Sequence, residues 1–199
     1  FAVEMVKVHD PAVVAERQTA YEGEMALHRQ KGDAILKEME HIEAAVIQQE
    51  DYNQNSVLMK IDPYNEWIGS VGFYVETDWK VFPEQAIKPH NPANQIVRVY
   101  DTYITNGELY QYIIDGLDKP MEIRYLREVL SSSADAVNYL IQFSVRGESK
   151  DECRKILDLI EEAMHTKKTE IVQSVGPFEL FATNSATYNQ IDYELEQIQ

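Results

Sequence analysis

The feature that most constrains this chain is a long run of helical periodicity between Asp10 and Tyr52. Asp10-Pro11 is a good helix start, because aspartate accepts free N–H groups at an N-cap and proline fits the first turn. Apolar residues then recur at heptad spacing, with charged residues and glutamines between them. The pattern predicts one helix, roughly 60 Å long at 1.5 Å per residue, with a coiled-coil seam.

The seam is most regular over a segment whose core positions are all apolar: Ile35, Met39, Ile42 and Val46. A helix of this length extends beyond what a domain of this size can cover. We therefore expect partner helices to bury the seam. The alternative is a solitary amphipathic helix folded along the domain.

The helical period stops in the stretch 55–65, which we call the joint. Its motif Asp62-Pro63-Tyr64-Asn65 contains a local stop signal, because proline disfavours helical geometry in the residue before it. The structural interpretation of the motif is a turn in which aspartate accepts backbone N–H groups and proline sets the bend. The alternative is a functional contact.

Strands are predicted from alternating apolar residues after the joint. The patterns cover Trp67 to Thr77 and Tyr139 to Val145, and the second is the clearest strand in the sequence. Ile171 to Val175 and Phe178 to Ala182 are predicted as two more strands, broken by a Gly-Pro pair.

Helices are predicted between and after these strands. One begins at Asn91-Pro92 and ends before Gly107, and two short ones cover Glu108 to Asp115 and Met121 to Leu130. A turn is expected at Ser131 to Ser133. A capping box, Ser149 to Glu152, opens a helix expected to end near two lysines, 167 and 168.

From Tyr188 the apolar residues return to helical spacing, at Tyr188, Ile191, Leu195 and Ile198. We expect a C-terminal helix that runs antiparallel to the first one and pairs with its seam as a stalk. The predicted fold is thus α/β, or α+β: a small mixed sheet covered by helices, with a long N-terminal coiled-coil-like helix. The predicted domains are a helical arm at 1–54, an α/β domain at 55–187 and a returning helix at 188–199.

Charge and cysteine content exclude several classes of partner and site. The chain has 34 acidic and 18 basic residues and a net charge of -16, which repels nucleic acid and anionic lipid. The single cysteine, Cys153, excludes an intrachain disulfide and lies in the apolar stripe of a predicted helix, which favours a core position. The sequence starts without methionine and contains no signal peptide or membrane span, so we expect it to be part of a longer protein.

No catalytic residue, metal site or cofactor is predicted. The sharpest enzyme-like signal is a pair of Glu-x-x-His steps, at Glu38/His41 and Glu162/His165, of the kind that builds di-iron sites in four-helix bundles. Prolines and strands between the two steps argue against such a bundle, so solvated helix faces are the favoured interpretation.

Tyrosines are frequent in the predicted helices, at Tyr100, Tyr103, Tyr110, Tyr112 and Tyr125. Their helical spacing beside isoleucine and valine favours the core. Contact with a glycan is the alternative, because aromatic rings stack on sugars.

The joint also carries a family resemblance. Its residues form the motif Asn55-Ser56-x-Leu58-Met59-x-Ile61-Asp62-Pro63-Tyr64-Asn65. The motif follows a long charged helix and precedes Gly72-Phe73-Tyr74-Val75. This arrangement resembles the extracytoplasmic part of Wzz-type polysaccharide co-polymerases, or chain-length determinants, of Gram-positive bacteria. The resemblance covers most of the chain but rests on this motif and the order of elements. The long helix before the first clear strand departs from the Gram-negative pattern.

The resemblance implies a non-enzymatic domain on the extracytoplasmic face of the cell membrane, anchored by transmembrane helices outside this sequence. It implies a homo-oligomer that contacts a membrane polysaccharide polymerase or the nascent glycan and regulates its chain length or export. A cytoplasmic tyrosine kinase is a further partner in some relatives, through segments absent here. The alternative is a generic extracytoplasmic coiled-coil adaptor or adhesion module without a glycan role.

Overall fold

The computed structural model describes residues 10–78, 91–183 and 185–199. Its contacts divide the chain into two compact units, Phe1–Gln54 and Asn55–Gln199. The sequence also predicts a short strand or an extended lead at 1–8 and an irregular loop leading up to Pro92. The lead and residues 79–90 of that loop lie outside the described residues.

The first unit contains helix α1, Pro11–Asn55, which has 45 residues and whose last residue already belongs to the second unit. The Asp10 side chain accepts the Ala12 N–H at 3.0 Å, so the helix begins at the predicted N-cap. No residue of α1 is buried. Among the described residues, no helix has both the length and the apolar character needed to cross a membrane.

The second unit is built on an antiparallel sheet. Its strands are β1 (Glu66–Glu76), β2 (Leu130–Asp135), β3 (Leu140–Gly147), β4 (Glu179–Ala182) and β5 (Ala186–Gln190). The order is β2-β3-β1-β4, and β5 also pairs with β1. β5 lies along the first part of β1 and β4 along its last part, so one edge of β1 is shared by two short strands.

Helices complete the second unit: α2 (Pro92–Thr105), α3 (Glu108–Gly116), α4 (Ile123–Val129), α5 (Lys150–Val175) and α6 (Tyr193–Ile198). Helix α5 packs closely on the sheet at Gly69, where an added Cβ would lie 2.9 Å from Leu157 Cδ1. Ser149 accepts the Glu152 N–H at 3.2 Å and caps α5, as the sequence predicted. The predicted mixed helix-and-sheet fold class is confirmed.

The core lies between the sheet and α2, α3 and α5. Its centre contains the inward side chains of β1 and β3, and the rings of Phe73 and Phe143 meet edge to face with centroids 6.0 Å apart. In β3 every second residue from Ile141 to Gly147 is buried, which is typical of a sheet with its core on one face. β1 also buries adjacent residues, among them Ile68 and Gly69.

Two local predictions were wrong. Residues Ser131 to Ser133 belong to β2, because they pair with β3 and extend the sheet. The predicted strand Ile171 to Val175 is the end of α5, where Ile171 is buried in the core two helical turns after Met164. The helix ends at Gly176, whose φ of 106° favours glycine.

The predicted returning helix is also wrong at its start. Tyr188 lies in β5 opposite Ile68, and α6 begins only at Tyr193. Leu195 is fully buried in the core of the second unit, so it is not part of a seam with α1. Ile191 and Ile198 are exposed. Pairing with β1 and burial of Leu195 thus replace the predicted stalk in this segment.

Candidate functional site

The joint is fixed to the second unit by buried side chains. Val57 and Ile61 lie in the hydrophobic core. Ser56 is fully buried, and its hydroxyl donates a hydrogen bond of 2.7 Å to Glu128 at the end of α4. The first residues after α1 are therefore an integral part of the second unit.

The joint motif forms a turn. The Asp62 side chain accepts the Tyr64 N–H at 2.9 Å, and the Asp62 carbonyl accepts the Asn65 N–H at 3.0 Å. This is the geometry that aspartate before proline favours. The turn delivers the chain to the first residue of β1, Glu66.

The C-terminal segment, residues 186–199, packs against this turn. The Asp192 N–H donates to the Pro63 carbonyl at 2.8 Å, and the Tyr64 hydroxyl donates to Glu196. The hydrogen bond to Glu196 raises the pKa of Tyr64. Backbone and side chain both connect the joint motif to α6.

The last residue of the segment contacts the joint itself. The Gln199 side-chain amide donates to the carbonyls of Leu58, at 3.0 Å, and Ile61, at 2.7 Å. The beginning and the end of the second unit therefore lie side by side.

A cluster of charged and polar side chains lies next to the contact between the C-terminal segment and the joint. We call this cluster the hub, and its members are Glu66, Arg146, Asp192 and Gln190. Arg146 forms an ion pair with Glu66, whose side chain is fully buried. It forms a second ion pair with Asp192, in which the guanidinium nitrogen lies 2.5 Å from the carboxylate oxygen. Gln190 donates to the other Glu66 oxygen at 2.9 Å. A buried carboxylate needs such partners, since an unpaired buried charge costs several kcal/mol, on the order of 3–5.

Asp192 connects the hub to α6. Its side chain caps the helix by accepting the N–H groups of Glu194, at 2.8 Å, and Leu195, at 3.1 Å. These N–H groups, Leu195 first, and the neighbouring Arg146 hold the pKa of Asp192 below its ordinary value. The ionised carboxylate is the form that this site stabilises.

The hub was not predicted from the sequence. Its members are separated by 80 residues from Glu66 to Arg146 and by 46 from Arg146 to Asp192, and no local period connects them. The one sequence signal was a charged residue next to each predicted strand: Glu66 directly precedes Trp67 to Thr77, and Arg146 directly follows Tyr139 to Val145. Charged residues in such positions are also common on solvated strand faces.

The predicted seam residues of α1 are not brought into this cluster. Ile35, Met39, Ile42 and Val46 are 51–60% exposed. They form an apolar face that no other part of the described structure covers. The burial of this seam by a partner remains a prediction.

The residues considered for chemistry are the two Glu-x-x-His steps and Cys153, and the described structure does not bring them together into one site. In the described part of the chain, no group of three or more His, Cys, Asp or Glu side chains is arranged to hold a metal ion. Burial raises the pKa of the Cys153 thiol to about 11, and its S–H donates to the Trp67 carbonyl at 3.4 Å. A thiol in this state is a poor nucleophile.

Most of the helical tyrosines pack in the core. Tyr100, Tyr103, Tyr110 and Tyr125 are buried, and Tyr112 packs partly buried against them. The Tyr100 hydroxyl donates to the Met164 carbonyl at 3.1 Å. The four buried rings are not available to stack on a sugar.

Two adjoining surface clefts lie beside the N-terminus of α5. Their volumes are about 390 and 600 Å³, and both are lined by Lys119, Met121, Glu148 and Glu152. The lining mixes acidic and basic side chains, so it favours no charge class of ligand. Neither cleft includes the hub.

The comparisons with known proteins give no relative. No protein-family model, no curated protein and no solved structure matches the chain. The resemblance to Wzz-type proteins therefore depends on the joint and on the order of the elements.

Proposed function

We propose that this chain is the extracytoplasmic part of a membrane-anchored polysaccharide co-polymerase. In this role it has no enzymatic activity of its own. It regulates the chain length or export of a surface polysaccharide by assembling with other copies and contacting the membrane polymerase or the nascent glycan.

The observation that carries the proposal is the contact between the two ends of the second unit. Gln199 bonds to the carbonyls of Leu58 and Ile61, and Asp192 bonds to Pro63. A domain that the chain enters and leaves at one place can be attached to one membrane through both ends. In a tethered protein, α1 on one side and the segment after residue 199 on the other would then connect this place to the membrane.

Two further features support assembly rather than catalysis. Helix α1 has 45 residues with none buried, and its apolar face from Ile35 to Ile47 is a surface suited to other helices. The net charge of -16 disfavours nucleic acid as a partner. A tyrosine kinase partner would act through segments on the other side of the membrane.

The test is deletion of the gene in its host, followed by electrophoresis of the surface polysaccharide. We expect the length distribution to shift or broaden, and a plasmid-borne copy to restore it. A copy carrying Ile42→Asp on α1 should restore it poorly, whereas the exposed Ala44→Asp on the opposite side of the helix serves as its control.

An unchanged length distribution and an unchanged amount of polysaccharide after deletion would contradict the proposal. Loss of cell adhesion or of a protein complex in the same strain would then favour the adaptor or adhesion module. Both functions would use the exposed face of α1, but only the co-polymerase acts on a polysaccharide.

A further inference from the structure

One face of α1 has no partner in the described structure. We call it the α1 face, and its members are Ile35, Leu36, Met39, Ile42, Val46 and Ile47, each 51–60% exposed. At 100° per residue these side chains form one continuous arc. An apolar strip of this length on a single helix marks a docking surface.

The described part of the chain offers no helix that can cover this face. Helix α5, with 26 residues, already buries eight of them in the second unit. Helix α6 has six residues, and its Leu195 lies in the core. Helices α2, α3 and α4 also contribute side chains to the core of the second unit, so we take another molecule as the occupant.

The charges of α1 match a second copy of the same helix. In the predicted heptad, parallel and in-register pairing brings Arg17 next to Glu22 of the other copy, and Glu24 next to its Arg29. Both pairs are attractive and occur twice in each pair of helices. They flank the part of the seam where apolar residues are sparse.

The same register places like charges together once, at Glu38 and Glu43. This pair lies within the α1 face, where apolar burial is greatest and offsets a repulsion of surface charges. Attraction between charges and apolar burial thus act on different halves of the helix, and the charge pairs are the part that specifies the register.

The direction of pairing rests on the proposed function. Copies anchored in one membrane present α1 in the same direction, and the two attractive charge pairs described above form in that direction. We propose that the α1 face packs in parallel and in register against the α1 face of other copies of this chain.

Disulfide trapping of the full chain tests the direction and the register together. In a parallel pair, residue 42 faces residue 42, so Ile42→Cys should form a covalent dimer under mild oxidation. Ala44→Cys, on the opposite side of α1, is the matched control and should stay mostly monomeric. Cys153 is buried and does not interfere.

Two results would overturn the proposal. One is the absence of a cross-link at position 42, whether sedimentation equilibrium shows a monomer or an associated chain. The other is cross-linking only in a mixture of Ile42→Cys and Met39→Cys chains, because antiparallel pairing places these two core positions opposite each other.

Charge reversal provides a second readout. Glu24→Arg and Arg29→Glu should each weaken self-association about two- to fivefold, since each replaces attractive surface pairs by repulsive ones. The double variant should restore it, and the loss should shrink at high salt. A double variant as weak as the single ones would contradict the register.

The outcomes separate this inference from the proposed function. If deletion of the gene changes the polysaccharide but Ile42→Cys does not cross-link, the interface is wrong and the function stands. If the cross-link forms but deletion leaves the polysaccharide unchanged, the interface stands and belongs to a protein with another role.

Discussion

The two longest helices of the molecule have opposite surroundings. Helix α1 has 45 residues and buries none of them, whereas α5 has 26 and buries eight. Both carry apolar residues at helical spacing and both begin at a capping side chain. The difference shows that local sequence determines where a helix forms, while burial depends on what lies opposite its apolar face.

The same contrast holds for charges. The acidic and basic residues of α1 lie on an exposed helix, whereas the second unit buries Glu66 and pairs it with Arg146. An exposed ion pair is screened by water and contributes little to stability. A buried carboxylate instead makes stability depend on its partner.

The largest expected effect comes from Arg146→Met. It leaves Glu66 buried without its cation and should lower the free energy of unfolding by about 3–5 kcal/mol. Urea unfolding followed by circular dichroism measures the loss. Glu179→Gln, which breaks the exposed pair with Lys168, is the control and should cost less than about 1 kcal/mol.

If Arg146→Met and Glu179→Gln cost the same, the contrast between buried and exposed charges fails. The double variant Arg146→Met with Glu66→Gln should recover part of the stability, because the uncompensated charge is then gone.

The next largest effect is expected when the same substitution, isoleucine to alanine, is made in α5 and in α1. Ile160→Ala in α5 removes a fully buried side chain and should cost about 2–5 kcal/mol. Ile35→Ala in α1 should change the unfolding of a dilute sample by no more than about 0.5 kcal/mol. At high protein concentration Ile35→Ala should become more costly, because self-association then buries this residue.

A stability cost of Ile35→Ala that does not depend on protein concentration would show that the α1 face is covered within one chain. The concentration series in the unfolding experiment distinguishes the two cases.

A smaller effect concerns the pH dependence of the second unit. The pKa of Asp192 is lowered by the N–H groups of Leu195 and Glu194 and by Arg146. Its stabilising contribution is therefore complete above the pKa of an unfolded aspartate, near 3.9, and is lost as the pH falls through the lower folded value. Asp192→Asn keeps the cap but should flatten the acid limb of a stability profile from about pH 6 to pH 2. An acid limb as steep as that of the native chain would contradict this role.

The smallest effect is expected at the end of the chain. Gln199→Ala removes two hydrogen bonds to carbonyls of the joint and should cost about 1 kcal/mol. Amide exchange should become faster in α6, while β3 keeps its protection. Gln197→Ala on the exposed side of α6 should leave exchange unchanged.

Much of the fold followed from the sequence where local chemistry decides the structure. Asp10 and Ser149 identified two helix starts, and the alternation around Phe143 identified a central strand. The errors at Ile171 and Tyr188 came from short apolar segments that fit a helix or a strand equally well. Burial of Ile171 in the core and pairing of Tyr188 with β1 decided between them.

The candidate site was predicted in part. The joint was located by Asp62-Pro63, but its connection to Asp192 and Gln199 was not, because hydrogen bonds between distant segments leave no periodic pattern in a sequence. The hub depends on the same long-range pairing, with β5 and β3 lying on either side of β1.

The contact between Gln199 and the joint also means that the second unit is nearly a closed loop. A short linker of glycine and serine would join residue 199 to residue 55 without stretching the chain, and new ends could be opened in the exposed turn between β2 and β3. Such a circularly permuted domain would keep every strand pairing described above. We therefore expect the second unit to tolerate insertion into a longer protein through its two adjacent ends.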